Sequence, residues 1–127
     1  MRGRKREPVV LVVEEDDEVR DSLSGLLTER GYLAVGTRTT GGARTLLEQG
    51  FRPRVILLDP FTPNGAQQFK TDLRADPTLR RTPVILGPGG LRKDPAMRPT
   101  LPHEHHLRPP LDVKALLQLV HGYCRWS

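Results

Sequence analysis

A continuous β-branched run, "VVLVV" at Val9–Val13, is the feature of this 127-residue chain that most limits its fold. A strand with one face in water would alternate apolar and polar residues, and this run does not alternate. It is typical of a strand buried on both faces, which is the usual state of strands in a parallel sheet covered by helices. The run therefore predicts an α/β domain.

Further apolar runs follow, and amphipathic stretches separate them. Helical spacing joins Val19, Leu23, Leu26 and Leu27, and Gly31 then ends the predicted helix. This alternation predicts a parallel sheet with helices on both faces. The remaining predicted elements are a strand "YLAVGT", a helix with Ala43, Leu46 and Leu47 ended by Gly50, a strand "RVILLD", a helix from Asn64 to about Ala75 with Phe69 and Leu73 facing inward, a strand "TPVILG", a weak strand from His105 to Arg108, and a last helix capped by Asp112 that contains Val113, Leu116, Leu117 and Val120.

The segment "PGGLRKDPAMRPTLP", Pro88 to Pro102, interrupts this alternation. It contains several prolines and two adjacent glycines, and each interior proline costs a helix about 3 kcal/mol. We expect an irregular loop or at most one short turn of helix there.

Composition indicates a folded, water-soluble chain. Charged residues make up 28% and hydrophobic residues 36%, and no apolar run approaches the ~20 residues of a membrane span. The single cysteine, Cys124, cannot form an internal disulfide. We expect a cytoplasmic protein with a basic tail over residues 1–7 and one domain over residues 8–127.

The net charge of +5 raises the alternative of a basic nucleic-acid adaptor. Apart from the amino-terminal tail, however, the arginines are scattered. The six aromatic residues form no stripe with basic residues on which bases could stack. We therefore rank a nucleic-acid partner below a protein partner.

Acidic residues follow two of the predicted strands. Glu14 and Glu15 end the first, and Asp59 ends the third. In open α/β sheets, ligands bind at the carboxyl ends of the strands, and crowded carboxylates there favour a hard cation such as Mg²⁺. Asp16 and Asp17, by contrast, suit the first turn of a helix, where the helix dipole favours negative charge.

The histidines around the weak fifth strand form a second cluster. Strand alternation would place His103 and His105 on one face, where imidazoles could bind zinc. Because no CxxC or HExxH pattern accompanies them, we favour a surface cluster over a metal site.

Four segments in order, "VVLVVEEDDEVRDSLSGLLTERGY", "RPRVILLDPFTP", "LRADPTLRRTPVIL" and "LRPPLDVKALLQLV", resemble the receiver (CheY-like) domain of two-component response regulators. The resemblance implies a flavodoxin-like, doubly wound, five-stranded parallel sheet of order 2-1-3-4-5, with the family's helix 4 short or absent here. It implies that a histidine kinase is the phosphoryl donor, with Asp59 at the phospho-acceptor position and Pro63 at the family's proline. It also implies a weak Mg²⁺ site formed by Glu14, Glu15, Asp59 and the backbone carbonyl of Phe61.

The chain departs from the family at the positions that activate the aspartate. Pro88, or Gly87 after a one-residue slip, stands where the family has a hydroxyl at the end of strand four. Pro109 stands at the lysine position of strand five, and Pro110 is then the candidate for the cis proline. In the other register, Arg108 takes the lysine position and Pro109 is the cis candidate.

Pro60 removes a further group, the backbone N–H just after the aspartate. Losing one such donor costs phosphoryl transfer on the order of 3 kcal/mol. The resemblance thus implies a degenerate receiver that acts by protein–protein interaction with weak or no phosphorylation. The alternative is a working single-domain response regulator phosphorylated on Asp59. No Ser/His/Asp or Cys/His arrangement is present, so we do not expect an enzyme.

Overall fold

Nine regular elements make up the computed structural model, which describes residues 9–59, 65–87, 101–107 and 112–125. Strands and helices follow one another in the predicted order along this part of the chain. They are β1 (Val9–Val13), α1 (Asp17–Glu29), β2 (Leu33–Thr37), α2 (Thr40–Glu48), β3 (Val55–Leu58), α3 (Ala66–Ala75), β4 (Val84–Leu86), β5 (Glu104–His106) and α4 (Val113–Cys124).

All five strands join one parallel sheet of order β2-β1-β3-β4-β5. The predicted flavodoxin-like topology, with strand order 2-1-3-4-5, is confirmed. The weak fifth strand begins at Glu104, one residue earlier than predicted, and pairs with β4 so that Leu86 lies opposite His106.

The strands are buried on both faces, as "VVLVV" predicted. On one face, Leu11 and Ile56 pack with the inner residues of α2 and α3. On the other, Val12 and Leu57 pack with α1 and α4. Because successive side chains point to opposite faces, one apolar run supplies both cores.

Local sequence signals begin and end the helices. The side chains of Asp16, Thr39 and Asp112 each accept a backbone N–H in the first turn of α1, α2 and α4. Gly31 follows α1 with φ +90°, a left-handed conformation that glycine adopts without strain. Val19, predicted on the inner face of α1, is 36% exposed because it lies in the first turn, near the edge of the core.

Several expectations fall outside the described residues. They concern the basic tail over residues 1–7 and most of the proline-rich segment, residues 88–100. Among the helices that the structure describes, none has the length and apolar character needed to cross a membrane.

Candidate functional site

The carboxyl ends of β1 and β3 lie side by side in the middle of the sheet. Val13 pairs with Leu58, and the backbone N–H of Asp59 donates to the carbonyl oxygen of Val13 at 3.0 Å. Glu14 continues β1 and donates its own N–H to the carbonyl oxygen of Thr37 at 3.0 Å. The two acidic residues are therefore held by backbone hydrogen bonds at the same edge, as their positions after the strands predicted.

Glu14 is a buried acid, with only 7% of its surface exposed. Its Oε2 accepts the backbone N–H of Asp16 at 3.0 Å, and its carbonyl oxygen accepts Nη1 of Arg20 at 2.9 Å. Both contacts come from the first turns of α1. The N–H of Asp16 thus holds the Glu14 carboxyl group, and Arg20 holds the Glu14 backbone.

The carboxyl groups of Glu14 and Asp59 lie close enough to interact through charge and hydrogen bonding. Burial is the largest cause that raises the pKa of Glu14 above its ordinary value of 4.5, and the N–H of Asp16 offsets part of this effect. The charge of Asp59 and the hydrogen bond between the two carboxyl groups raise the pKa of Glu14 further. Two carboxylates this close repel each other, so the pair favours the binding of a proton or a cation.

The other acids nearby have different surroundings. Glu15 is exposed to solvent, whereas Asp16 caps α1 by accepting the N–H of Val19 at 3.0 Å. Asp17 pairs with Arg20 and Arg38 on the surface. The helix-start interpretation of Asp16 and Asp17 therefore agrees with the structure, and in the part of the chain that the structure describes Glu15 forms no cluster with Glu14 and Asp59.

The donor set suits Mg²⁺ in its chemistry. Two adjacent carboxyl groups offer oxygen ligands, and a divalent cation would relieve the repulsion that raises the pKa of Glu14. No group of three or more acidic, histidine or cysteine side chains placed to hold a metal occurs among residues 9–59, 65–87, 101–107 and 112–125. Protein ligands beyond Glu14 and Asp59 would have to include backbone oxygens such as that of Phe61, and water would supply the rest.

Gly87 ends β4 beside this site with φ +140°, and its N–H donates to the carbonyl oxygen of Leu58 at 3.2 Å. A Cβ atom at this position would lie 2.6 Å from the carbonyl oxygen of Leu107. The close approach of the β5 end therefore leaves no room for a side chain. If Gly87 occupies the position where the family has a hydroxyl residue, this close approach explains why no hydroxyl side chain is present there.

The remaining predicted site positions lie outside the described residues. The predictions for Phe61, Pro88, Pro109 and Pro110 therefore stay predictions. The same holds for the assignment of the strand-five register, because residues 108–111 are not described.

Sequence reasoning missed a buried ionic network between α3 and β5. Nζ of Lys70 lies 2.6 Å from Oε2 of Glu104, and neither side chain is exposed. Nε2 of His106 lies 2.6 Å from the same oxygen, and the N–H of Leu101 donates to Oε1 of Glu104 at 3.1 Å. The network ties α3 to β5 on the face that also contains α2.

Helical spacing could have identified Lys70. It occurs on α3 at i+4 from Ala66 and one residue after Phe69, so it shares their inward face. No comparable local signal marks Glu104, because its neighbours in the strand are polar histidines.

The sequence matches no protein-family model and no curated protein. Solved structures do match. A response regulator receiver protein from Pseudomonas putida is 26% identical, with a TM-score of 0.78 over 94% of this chain and 99% of that one. The signal receiver domain of a histidine kinase from Syntrophus aciditrophicus is 23% identical, with a TM-score of 0.79 over 93% of this chain and 90% of that one.

A third structure has a metal in its site. The receiver domain of a sensor histidine kinase from Pseudomonas aeruginosa, with a magnesium ion coordinated in the active-site cleft, is 19% identical and has a TM-score of 0.81 over 94% of this chain and 99% of that one. Together with the strand order, these likenesses confirm the resemblance stated from the sequence: this chain has the fold of response regulator receiver domains.

Proposed function

We propose that this chain is a receiver-domain protein of two-component signal transduction that acts by binding a signalling protein, with little or no phosphorylation of Asp59. The fold and its receiver-domain neighbours support the signalling role. The partner would be a histidine kinase or a downstream signalling protein.

The main support for a degenerate receiver comes from Gly87, which follows β4. Its φ of +140° and the 2.6 Å approach of the Leu107 carbonyl exclude a side chain at the end of β4. If the hydroxyl position is Pro88 instead, it also has no hydroxyl. Phosphoryl transfer depends on positioned groups that offset developing charge, so these losses slow the reaction at Asp59.

The second candidate, a working phospho-acceptor, is favoured by the contact between Glu14 and Asp59. These two residues would hold Mg²⁺ together with the carbonyl of Phe61. The ion would neutralise the charge of the carboxylates and of an incoming phosphoryl group. The chain would then hold Asp59 in position through the hydrogen bond from its backbone N–H to the carbonyl oxygen of Val13.

One experiment separates the two candidates. The chain is incubated with acetyl phosphate and Mg²⁺, and its intact mass is measured over time. We expect no gain of a phosphoryl group. A Mg²⁺-dependent gain that disappears in Asp59→Asn would reject the degenerate receiver in favour of the working one.

Metal binding is tested separately by Mg²⁺ titration, followed by amide NMR. We expect weak, saturable shifts at Glu14 and Asp59 that are lost in Glu14→Gln. Asp16→Ser is the matched control, because serine preserves the helix cap and removes an acid that lies outside the pair. Equal loss in both variants would show that net charge alone attracts the ion.

A further inference from the structure

A second concave site lies at the opposite end of the strands from Asp59, at the amino ends of β3, β4 and β5. It has a volume of about 390 Å³, within the range of small-molecule pockets. Residue 54, which lines it, precedes Asp59 by five strand residues, so the two sites are roughly 16 Å apart. The pocket is therefore separate from the phospho-acceptor edge.

The pocket has an apolar lining on one side. Pro53, two residues before β3, and Pro83, the residue before β4, line this side together with Tyr123 of α4. Oη of Tyr123 lies 2.6 Å from Nε2 of His105, which fixes the orientation of the ring. A planar or apolar group can pack against this wall without losing hydrogen bonds.

The polar lining is cationic and rich in hydrogen-bond donors. Arg54, Arg81 and His103 line the pocket together with Thr78 and Thr82. The hydroxyl of Thr78 already donates to Oδ1 of Asp76 at 2.8 Å, which leaves the hydroxyl of Thr82 as the threonine donor. Among the described residues that line the pocket, none is acidic. Guanidinium groups match the geometry of phosphate oxygens and donate to them in pairs.

A side chain beside the pocket supports its lining. Nη2 of Arg52 donates to Oγ1 of Thr78 at 3.0 Å, which holds that wall of the pocket in place.

We propose that this pocket binds a small phosphate ester with a planar or apolar body, of the size of a mononucleotide. Arg81 and Arg54 would bind the phosphate, with the hydroxyl of Thr82 as a further donor. The body of the ligand would pack against the wall formed by Pro53, Pro83 and Tyr123, beside His103, whose ring already meets the Tyr123 ring edge-on with 6.0 Å between the centroids. This site makes no use of Asp59, so it stands or falls independently of the proposed function.

The test is an amide NMR titration of the whole chain with adenosine monophosphate, with inorganic phosphate and adenosine as separate arms. We expect saturable shifts at Arg81, Thr82 and His103 with the nucleotide, weaker shifts at the same amides with phosphate, and the weakest response with adenosine. Raising the salt concentration should weaken nucleotide binding. The Asp59→Asn variant should bind the nucleotide like the wild type.

The decisive variants are Arg81→Gln and its control Arg30→Gln. Both remove one exposed arginine from the same edge of the sheet, but only Arg81 lines the pocket. We expect about tenfold weaker nucleotide binding for Arg81→Gln, the effect of losing a charged hydrogen bond, and no change for Arg30→Gln.

Several outcomes would overturn the proposal. Equal weakening in both variants would mean that overall charge, not the pocket, attracts the nucleotide. If adenosine bound as tightly as adenosine monophosphate, the arginines would have no role in binding. Phosphate binding as tightly as the nucleotide would remove the role of the apolar wall. A short oligonucleotide that binds far more tightly than the mononucleotide would point to a nucleic-acid surface instead.

Discussion

Lys70 of α3 and Glu104 of β5 form an ion pair with a separation of 2.6 Å between Nζ and Oε2, and both side chains are fully buried. Removing Lys70 would leave Glu104 in the core with only His106 and the N–H of Leu101 as partners, and breaking a buried pair in this way costs about 3–5 kcal/mol. We therefore expect Lys70→Met to lower the free energy of unfolding by about this amount, as measured by urea denaturation.

The surface pair between Arg44 and Asp72 is the matched control. Its Nη2–Oδ2 distance is 2.8 Å, but the side chains are 38% and 39% exposed. Arg44→Met should cost at most about 1 kcal/mol. The double variant Lys70→Met/Glu104→Leu should recover much of the loss, because it removes both charges together. Equal costs for Lys70→Met and Arg44→Met would contradict the burial of the pair.

Gly87→Ala should destabilise the chain by about 1–3 kcal/mol, because alanine is strained at φ +140° and its Cβ would meet the carbonyl oxygen of Leu107. Gly25→Ala provides the comparison. Gly25 lies within α1, and no heavy atom of the surroundings lies within 4 Å of the added Cβ, so this change should stabilise by about 0.5–1 kcal/mol. Thermal unfolding of both variants measures the difference, and a neutral Gly87→Ala would show that β5 can move away.

Glu14→Gln should change stability in a pH-dependent manner. The pKa of Glu14 is raised on folding, chiefly by burial, so its contribution to stability is fully present below the ordinary value of 4.5 and is lost as the pH rises through the folded-state pKa. Glutamine does not ionise and can still accept the N–H of Asp16. We expect Glu14→Gln to gain stability relative to the wild type as the pH rises from acidic to neutral.

Asp17→Asn should show the opposite sign in the same urea experiments. Its hydrogen bond with Arg20, and then the charge of Arg38, lower the pKa of Asp17 below its ordinary value of 3.8. Its contribution is therefore present above that value and is lost as the pH falls through the folded-state pKa. Parallel pH profiles for Glu14→Gln and Asp17→Asn would refute the assigned environments.

Asp16→Ala should cost about 1 kcal/mol of stability, because Oδ1 of Asp16 caps α1 by accepting the N–H of Val19 at 3.0 Å. Asp16→Ser should preserve most of the stability, since a serine hydroxyl can accept the same N–H. Chemical denaturation of the two variants distinguishes a cap from a simple charge effect. A similar loss in both would mean that the negative charge, not the cap, is what stabilises the helix.

Much of the architecture could be predicted because it depends on local patterns. "VVLVV" and "RVILLD" are apolar at every position, which only strands covered on both faces can accommodate. Asp16, Asp112 and Gly31 mark helix ends through hydrogen bonds or dihedral angles formed within a few residues. The strand order came from the family resemblance, and the structure confirms it.

The candidate site was predicted less completely, because orientation and burial decide which acids meet. Glu14 and Glu15 are adjacent and chemically alike, yet only Glu14 is buried and in contact with Asp59. Successive residues at a strand end point in different directions, so the composition "EE" alone could not choose between them.

The sequence by itself determined where the strands and helices lie and that acidic residues follow β1 and β3, since these features depend on periodicity and position along the chain. Tertiary structure alone decided which distant groups meet. Lys70 and Glu104 pair across 34 residues, and Gly87 lies against Leu107 across 20, because the sheet places β4 beside β5 and packs α3 over them. Contacts of this kind arise from packing, and no local pattern encodes them.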